Sequence, residues 1–230
     1  SGSTSVKKGE SLKDTIIMVS SYADIIVMRH PREGAARWAS EVSSVPVINA
    51  GVGANQHPTQ CLLDMYSIMQ TQGTLDNLNI AFVGDLKYGR TVHSLVQAMC
   101  NFNATFHLVS PNELKLPSSS KMHIKNNNLS YYQYTELADV MPIADIIYMT
   151  RIQQERFSDP LEYEKVKNSY ILNKAMLENC KPNMRILHPL PRVNEISEDV
   201  DETPQAFYFK QAENGVYVRQ ALLAAIAGVK

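Results

Sequence analysis

The sequence has little charge imbalance, few cysteines and no long apolar run. Its 230 residues carry 22 Lys and Arg against 23 Asp and Glu, so nothing indicates a surface for nucleic acid. Cys61, Cys100 and Cys180 are an odd set at wide spacing, which predicts reduced, buried thiols rather than disulfides or a metal site. No run approaches the ~20 apolar residues of a membrane span and no signal peptide opens the chain. We therefore expect a cytoplasmic protein without membrane contact.

Short β-rich runs alternate along the chain with helical patterns. Most of the runs lack polar alternation, which is typical of strands buried on both faces. The predicted strands are 24–28, 46–49, 79–84, 104–109, 144–150 and 184–188. The predicted helices are 11–22, 33–42, 59–71, 91–102, 136–141 and 215–229. This βαβ rhythm predicts an α/β fold with parallel sheets.

A domain boundary is predicted near residues 73–78, where a polar segment separates a helix from the next strand. We expect a first domain at 1–75, a second at 76–213 and a C-terminal helix, 214–230, that returns to the first domain. The first unit is short of strands for a complete layer. The Ser- and Asn-rich segment 117–132 is interpreted as a polar surface excursion of low complexity.

Polar side chains cluster after the first two predicted strands. Arg29 follows one strand and has a guanidinium that can bind a phosphate or a carbonyl, although a solvated arginine is an equal alternative. His57 and Gln60 flank the start of a helix, where an anion or a polarised carbonyl is favoured. Taken singly, His57 is more often a packed histidine and Gln60 a helix cap.

Two arginines follow strands of the second unit. Arg90 precedes Thr91 in GDLKYGRT, where a nucleotide-binding loop requires lysine, so nucleotide hydrolysis is not expected. Arg151 and Gln153 follow a later strand and point the same way if the extended conformation continues. The two guanidiniums are suited to a small dicarboxylate. The alternative is that both arginines form ion pairs at the protein surface.

The segment HPLPRVNEI, residues 188–196, sets two prolines around one leucine after an apolar run. Pro189 and Pro191 fix φ and lack backbone donors, so we expect an extended loop whose carbonyl groups point outward. The loop follows a predicted strand, and open α/β sheets bind ligands at the carboxyl ends of their strands.

Together these segments resemble the catalytic chains of the aspartate carbamoyltransferase family. The resemblance rests on five ordered motifs and extends to QAENGVYVRQALLAAI near the C-terminus; the five are MRHPREGAA, NQHPTQ, VGDLKYGRTVHSL, YMTRIQQERF and HPLPRVNEI. It implies two doubly wound parallel-sheet domains, an incomplete one for carbamoyl phosphate and one for L-aspartate. It also implies a homotrimer with shared active sites, no metal and no organic cofactor. The implied products are N-carbamoyl-L-aspartate and phosphate, in the second step of pyrimidine synthesis.

The resemblance also implies roles toward carbamoyl phosphate. Arg29 and His57 would bind its carbonyl oxygen, and Arg29 would also reach its phosphate. Gln60 would hold the carbamoyl NH2 together with the backbone of Leu190 and Pro191.

A second set of matching positions concerns aspartate and the neighbouring subunit. Arg90, Arg151 and Gln153 would bind the two carboxylates of aspartate. The opening TSVKKGES resembles a loop that lends a serine and a lysine to the next subunit's carbamoyl phosphate site, and Ser5 and Lys8 are the matching residues.

The sequence departs from the family at two places. The family's phosphate-binding Ser-Thr-Arg-Thr run is not found here, so we expect an N-terminally truncated chain that is inactive by itself. Val52 replaces the usual aspartate of NAGDG, which predicts the loss of a supporting hydrogen bond. The alternatives are an ornithine carbamoyltransferase, whose Ser-Met-Gly and HCLP motifs are absent, and a non-catalytic assembly or regulatory fragment. The sequence identifies no regulatory or fused partner.

Overall fold

The computed structural model describes residues 9–53, 56–152, 154, 157 and 159–229. Within these residues the strands form two parallel sheets. The smaller sheet pairs β1 (Ile26–His30) with β2 (Val47–Val52). The larger has the order β5-β4-β3-β6-β7 and comprises β3 (Asn79–Val83), β4 (Thr105–Val109), β5 (Tyr131–Tyr134), β6 (Ile146–Met149) and β7 (Arg185–Leu187). The predicted α/β class with parallel sheets is confirmed.

Seven α-helices of the described residues surround these sheets. They are α1 (Leu12–Ser20), α2 (Ala35–Val42), α3 (Pro58–Gln72), α4 (Arg90–Met99), α5 (Ser118–Asn126), α6 (Pro160–Val166) and α7 (Tyr208–Ala227). Helix α3 starts with Pro58 in its first turn, where the missing N–H costs no helical hydrogen bond. Across the described part of the chain, no helix is both long and apolar enough to cross a bilayer.

The central strands β3 and β6 are buried on both faces. All four residues of β6 and the last four of β3 are buried. Phe82 and Tyr148 face the core under α4, whereas Val83 and Met149 face the core on the other side of the sheet. Two-sided burial explains why these strands read as continuous apolar runs.

The strand order reverses between β3 and β6, so their carboxyl ends open side by side. The hydroxyl of Thr150 donates to the carbonyl oxygen of Val83 at 2.9 Å and accepts the backbone N–H of Asp85 at 3.0 Å. A Cβ at Gly84, whose φ is +110°, would lie 2.4 Å from the carbonyl oxygen of Thr150. Only glycine permits this close approach. The reversal of strand order leaves a crevice between β3 and β6, which is where α/β sheets bind ligands.

The segment 117–132 lies largely at the surface, as predicted, but it contains a helix and a strand that the prediction did not include. It contains α5, whose Ile124 is buried, and it leads into β5, which pairs with β4. Helix α5 buries one residue only, so its periodicity is too weak to read from the sequence. Residues 136–141 also differ, because they form a 3₁₀ turn, Leu137–Asp139, rather than an α-helix.

The last helix begins at Tyr208 and not at residue 215. Gly215 looks like a helix boundary in sequence, but it lies inside α7 at the contact with α3. A Cβ there would be 3.2 Å from Leu63 Cδ2. The glycine therefore serves close helix packing. The expected boundary between residues 213 and 214 lies within α7.

Candidate active site

A cavity of about 260 Å³ lies at the carboxyl ends of the strands. It is lined by seven residues singled out from the sequence, namely Arg29, His57, Gln60, Arg90, Arg151, Leu190 and Pro191. The other three, Ser5, Lys8 and Gln153, lie outside the described residues. The structure thus brings together side chains that are up to 162 positions apart in sequence, from Arg29 to Pro191.

Each of these side chains is positioned by the end of a strand or the start of a helix. Arg29 belongs to β1 itself, because that strand runs to His30, two residues beyond its predicted end. His57 precedes the first residue of α3, and Arg90 is the first residue of α4. Arg151 follows β6, as predicted. The cavity therefore combines cationic side chains with two helix N-termini, both of which favour anions.

His57 is an uncharged imidazole at neutral pH. Burial, together with the positive charges of Arg90 and Arg29, lowers its pKa to about 4. Its backbone N–H donates to Ser94 Oγ at 2.9 Å, which fixes the residue at the start of α3. No described residue forms a hydrogen bond with its buried Nδ1. A neutral histidine in this place can donate one N–H to a ligand carbonyl without adding a further cation beside the arginines.

Arg90 lies against the turn that follows β2. Its Nη1 donates to the carbonyl oxygen of Gly53 at 3.1 Å. A Cβ at Gly51, whose φ is +115°, would lie 3.2 Å from the same Nη1 atom. The positive φ favours glycine at position 51, and a Cβ there would also displace the guanidinium slightly.

Val52, the residue that departs from the family pattern, is buried. It packs in the apolar cluster of Ile26 and Met28 beneath the turn. The turn keeps a backbone anchor, since the N–H of Gly53 donates to the carbonyl oxygen of His30 at 2.9 Å. An apolar side chain thus occupies position 52, and the backbone holds the turn.

The loop after β7 is organised by His188. Its Nδ1 accepts the backbone N–H of Leu190 at 2.8 Å, and its Nε2 lies 2.7 Å from Glu195 Oε1. Because Nδ1 is an acceptor, Nε2 carries the hydrogen atom and donates a hydrogen bond to Glu195 Oε1. Leu190 has a φ of +48°, and the Leu190–Pro191 peptide bond is cis. The expected extended conformation is therefore wrong at Leu190, although a residue before proline usually has an extended φ.

Glu195 completes this loop as a carboxylate. Its Oε2 accepts the backbone N–H groups of Val193 at 3.0 Å and Asn194 at 3.1 Å. Burial raises the pKa of Glu195, but the hydrogen bonds from His188 and from the backbone outweigh it and leave the pKa below its usual value. The turn from Val193 to Glu195 is thus tied to the His188 ring.

Sequence reasoning missed the polar residues behind the cavity. Asp64 and Gln211 are fully buried and hydrogen-bonded to each other and to residues of the site. The sequence offered one signal for Asp64, which is a carboxylate one helical turn after Gln60 in the predicted helix 59–71. Gln211 offers none. Within the described ranges, no three His, Cys, Asp or Glu side chains cluster as metal ligands do.

Two family models match the chain. The "Aspartate/ornithine carbamoyltransferase, carbamoyl-P binding domain" matches residues 1–70. The "Aspartate/ornithine carbamoyltransferase, Asp/Orn binding domain" matches residues 76–226. Together they span nearly the whole sequence, with their junction after α3.

Curated relatives share most of the sequence. The aspartate carbamoyltransferase catalytic subunit of Bacteroides thetaiotaomicron is 63% identical over 227 residues, which are 98% of this chain and 72% of the relative. That of Chromobacterium violaceum is 56% identical over 225 residues, 98% of this chain and 74% of the relative.

Solved structures agree with these relatives. The catalytic subunit of M. jannaschii aspartate transcarbamoylase superposes with a TM-score of 0.89 at 56% identity, covering 97% of this chain and 73% of the other. Trypanosoma cruzi aspartate transcarbamoylase, in complex with carbamoyl phosphate and aspartate, gives a TM-score of 0.89 at 39% identity, with 96% and 72% covered.

Proposed function

The chain belongs to the aspartate/ornithine carbamoyltransferase family, and we propose that its site transfers the carbamoyl group of carbamoyl phosphate to the amine of L-aspartate. The observation that carries this proposal is the single cavity in which Arg29, His57 and Gln60 face Arg90 and Arg151. Its relatives are named aspartate carbamoyltransferase catalytic subunits, which favours aspartate over ornithine as the acceptor.

The first three residues suit the carbamoyl group. Arg29 and neutral His57 can both donate hydrogen bonds to its carbonyl oxygen, which becomes negative when the aspartate nitrogen attacks the carbon. Fixed donors in a partly buried site stabilise such an oxyanion without reorganising. The C–N bond forms, the bond from carbon to the phosphate oxygen breaks, and phosphate leaves with the electron pair. The proton lost by the amine passes to the phosphate or to solvent.

Arg90 and Arg151 suit the acceptor. Each guanidinium can bind one carboxylate through two parallel hydrogen bonds. The same pair of cations repels the second ammonium group of ornithine, so the arrangement selects between the two amino acids by charge. In this proposal Gln153 supports the aspartate carboxylates alongside Arg151.

The proposal extends to assembly and organisation. We propose a homotrimer in which Ser5 and Lys8 enter a neighbour's carbamoyl phosphate site, supported by the TSVKKGES motif. Residues 1–75 and 76–213 would be the carbamoyl-phosphate and aspartate domains, with 214–230 returning to the first. We also propose the cytoplasm as the compartment, because the three cysteines are free thiols, as reducing compartments keep them.

The test is an assay of the full-length chain with carbamoyl phosphate and either L-aspartate or L-ornithine. We expect carbamoyl aspartate and phosphate in equal amounts, and no citrulline. An Arg37→Ala variant is the matched control, since Arg37 lies on the outer surface with its side chain 88% exposed. Citrulline formation would support the ornithine alternative. Absence of either product from folded protein would support a non-catalytic role.

A further inference from the structure

Asp64 is a fully buried carboxyl behind the cavity. Its Oδ1 accepts hydrogen bonds from Gln60 Nε2 at 2.8 Å and from Gln211 Nε2 at 2.6 Å. Its Oδ2 accepts the hydroxyl of Tyr148 at 2.8 Å. All three partners are buried as well. A carboxyl is costly to bury, so a position that keeps one with every oxygen satisfied invites a functional explanation.

The first contact determines how the Gln60 amide is turned. A glutamine amide has a donor and an acceptor end of nearly the same shape, and its partners decide which end points where. Because Asp64 only accepts hydrogen bonds when ionised, it holds the NH2 end of Gln60. The carbonyl end, Oε1, is left for the cavity that Gln60 lines. The cavity is thereby given an acceptor rather than a donor.

The second contact does the same for Gln211. Its Nε2 is held by Asp64, and its Oε1 accepts the backbone N–H of His188 at 2.8 Å. His188 in turn accepts the N–H of Leu190, so this chain of contacts reaches the backbone that lines the cavity. One carboxyl oxygen therefore fixes two amides, and both amides serve the same part of the site.

We propose that Asp64 is a positioning residue that makes this part of the cavity selective for an NH2 group, by fixing the amides of Gln60 and Gln211. The inference rests on the proposed function, in which the NH2 group belongs to carbamoyl phosphate. It adds a residue that touches no substrate and acts through two others.

The arrangement does not depend on the charge of Asp64. Burial raises the pKa of Asp64 to about 7, although the hydrogen bonds from Gln211, Tyr148 and Gln60 oppose this rise. When the carboxyl is neutral, its proton can sit on Oδ2 and face the Tyr148 oxygen, and Oδ1 still accepts both amides. An asparagine can reproduce that neutral form, with its NH2 toward Tyr148. A leucine cannot, because it offers no acceptor.

The experiment measures discrimination between two ligands in the full-length chain. Acetyl phosphate replaces the NH2 group of carbamoyl phosphate with a methyl group, which donates no hydrogen bond. The readout is the Kd of acetyl phosphate divided by the Kd of carbamoyl phosphate, from calorimetry. We expect Asp64→Leu to lower this ratio about tenfold, as expected for loss of a buried acceptor. Asp64→Asn should keep the ratio.

Tyr148→Phe is the matched control. It removes the third hydrogen bond of Asp64 but leaves both amides in place, so it should lower stability and keep the ratio. If Asp64→Leu does not fold by circular dichroism, Gln211→Met takes its place, because it breaks one of the two arms with little change in shape. It too should lower the ratio.

A folded Asp64→Leu or Gln211→Met chain with the wild-type ratio would overturn the inference, even if both ligands bind more weakly. So would an Asp64→Asn chain that loses as much discrimination as Asp64→Leu. A wild-type chain that forms no carbamoyl aspartate would instead refute the proposed function. The two failures are thus distinguishable.

Discussion

The guanidinium of Arg90 donates a hydrogen bond to the carbonyl oxygen of Gly53 and so joins α4 to the turn after β2. The bond links the larger sheet's first helix to the smaller sheet. Gly51 lies beneath the same guanidinium, where a Cβ would make a tight contact of 3.2 Å with Nη1. The position of Arg90, which is proposed to bind aspartate, therefore depends on the backbone turn after β2.

We predict that Gly51→Ala raises the KM for aspartate more than it affects carbamoyl phosphate binding. The new Cβ displaces Arg90, and a φ of +115° adds strain of about 1–3 kcal/mol. Gly34→Ala is the control, because Gly34 also has a positive φ but has nothing within 4 Å of its Cβ position. Gly34→Ala should lower the melting temperature and leave both the KM for aspartate and the binding of carbamoyl phosphate unchanged. Equal kinetics in the two variants would contradict the prediction.

Arg151→Ala should lower kcat/KM for aspartate by about 100-fold or more, since a charged contact to one carboxylate is lost. Arg151→Lys should recover only part of this, because an ammonium cannot bind a carboxylate with two parallel hydrogen bonds. Steady-state kinetics of the full-length variants measure both effects. Near wild-type kcat/KM in Arg151→Ala would remove this residue from the site.

Mixing two inactive chains should restore activity if sites are shared between subunits. A Lys8→Ala chain and an Arg29→Ala chain each lack one residue in every site of their own homotrimer. After subunit exchange, a hybrid contains some sites with both residues intact. We expect partial recovery of carbamoyl aspartate formation, with exchange verified by native mass spectrometry. No recovery after verified exchange would indicate that the N-terminal segment acts within its own chain.

His57 should stay neutral until the solution is well below pH 6. Its pKa in the folded chain is about 4, against 6.5 for an ordinary histidine. The unfolded chain therefore binds this proton first as the pH falls from about 6.5 to about 4, and His57 makes folding less favourable over that interval. NMR titration of the ring, with the resonance identified in a His57→Gln variant, measures the midpoint. A midpoint near 6.5 would contradict the burial argument.

Asp64 should make the stability of the wild type fall as the pH rises from about 4 to about 7. Its pKa is raised in the folded chain, so the folded state binds the proton over this interval and the unfolded state does not. Asp64→Asn has no such proton. As the pH rises, the unfolding free energy of Asp64→Asn should therefore increase relative to that of the wild type, by on the order of 4 kcal/mol at most. Urea unfolding at several pH values measures it, and a difference that does not change with pH would show an ordinary pKa.

Much of the fold could be predicted from the sequence, because burial on both faces leaves a strong signal. The runs of β3 and β6 contain no polar alternation, and both strands are found where they are predicted. Elements at the margin of the sheet were missed, since α5 and β5 bury few residues. The start of the last helix was predicted wrongly at Gly215 for a different reason. In a sequence, a glycine needed for helix contact looks the same as one at a helix boundary.

Charged residues that line the cavity could be predicted from the sequence, but the contacts behind the cavity could not. Arg29 and Arg151 occur at strand ends and Arg90 begins a helix, and both kinds of boundary can be read from the sequence. The hydrogen bonds of Asp64 could not be read, because Gln211 lies 147 residues away and its pairing depends on how α7 packs on α3. Local patterns contain no information about such a contact.

The packing of α7 on α3 also affects how the protein is made. Asp64 is synthesised long before Gln211, so the Gln211 amide and the His188 backbone that it holds are not fixed until α7 packs on α3. On the ribosome, therefore, the larger sheet can be complete while the carbamoyl end of the site is still unformed. The complete selectivity for the NH2 group would then arise only when α7 has left the exit tunnel and packed on α3.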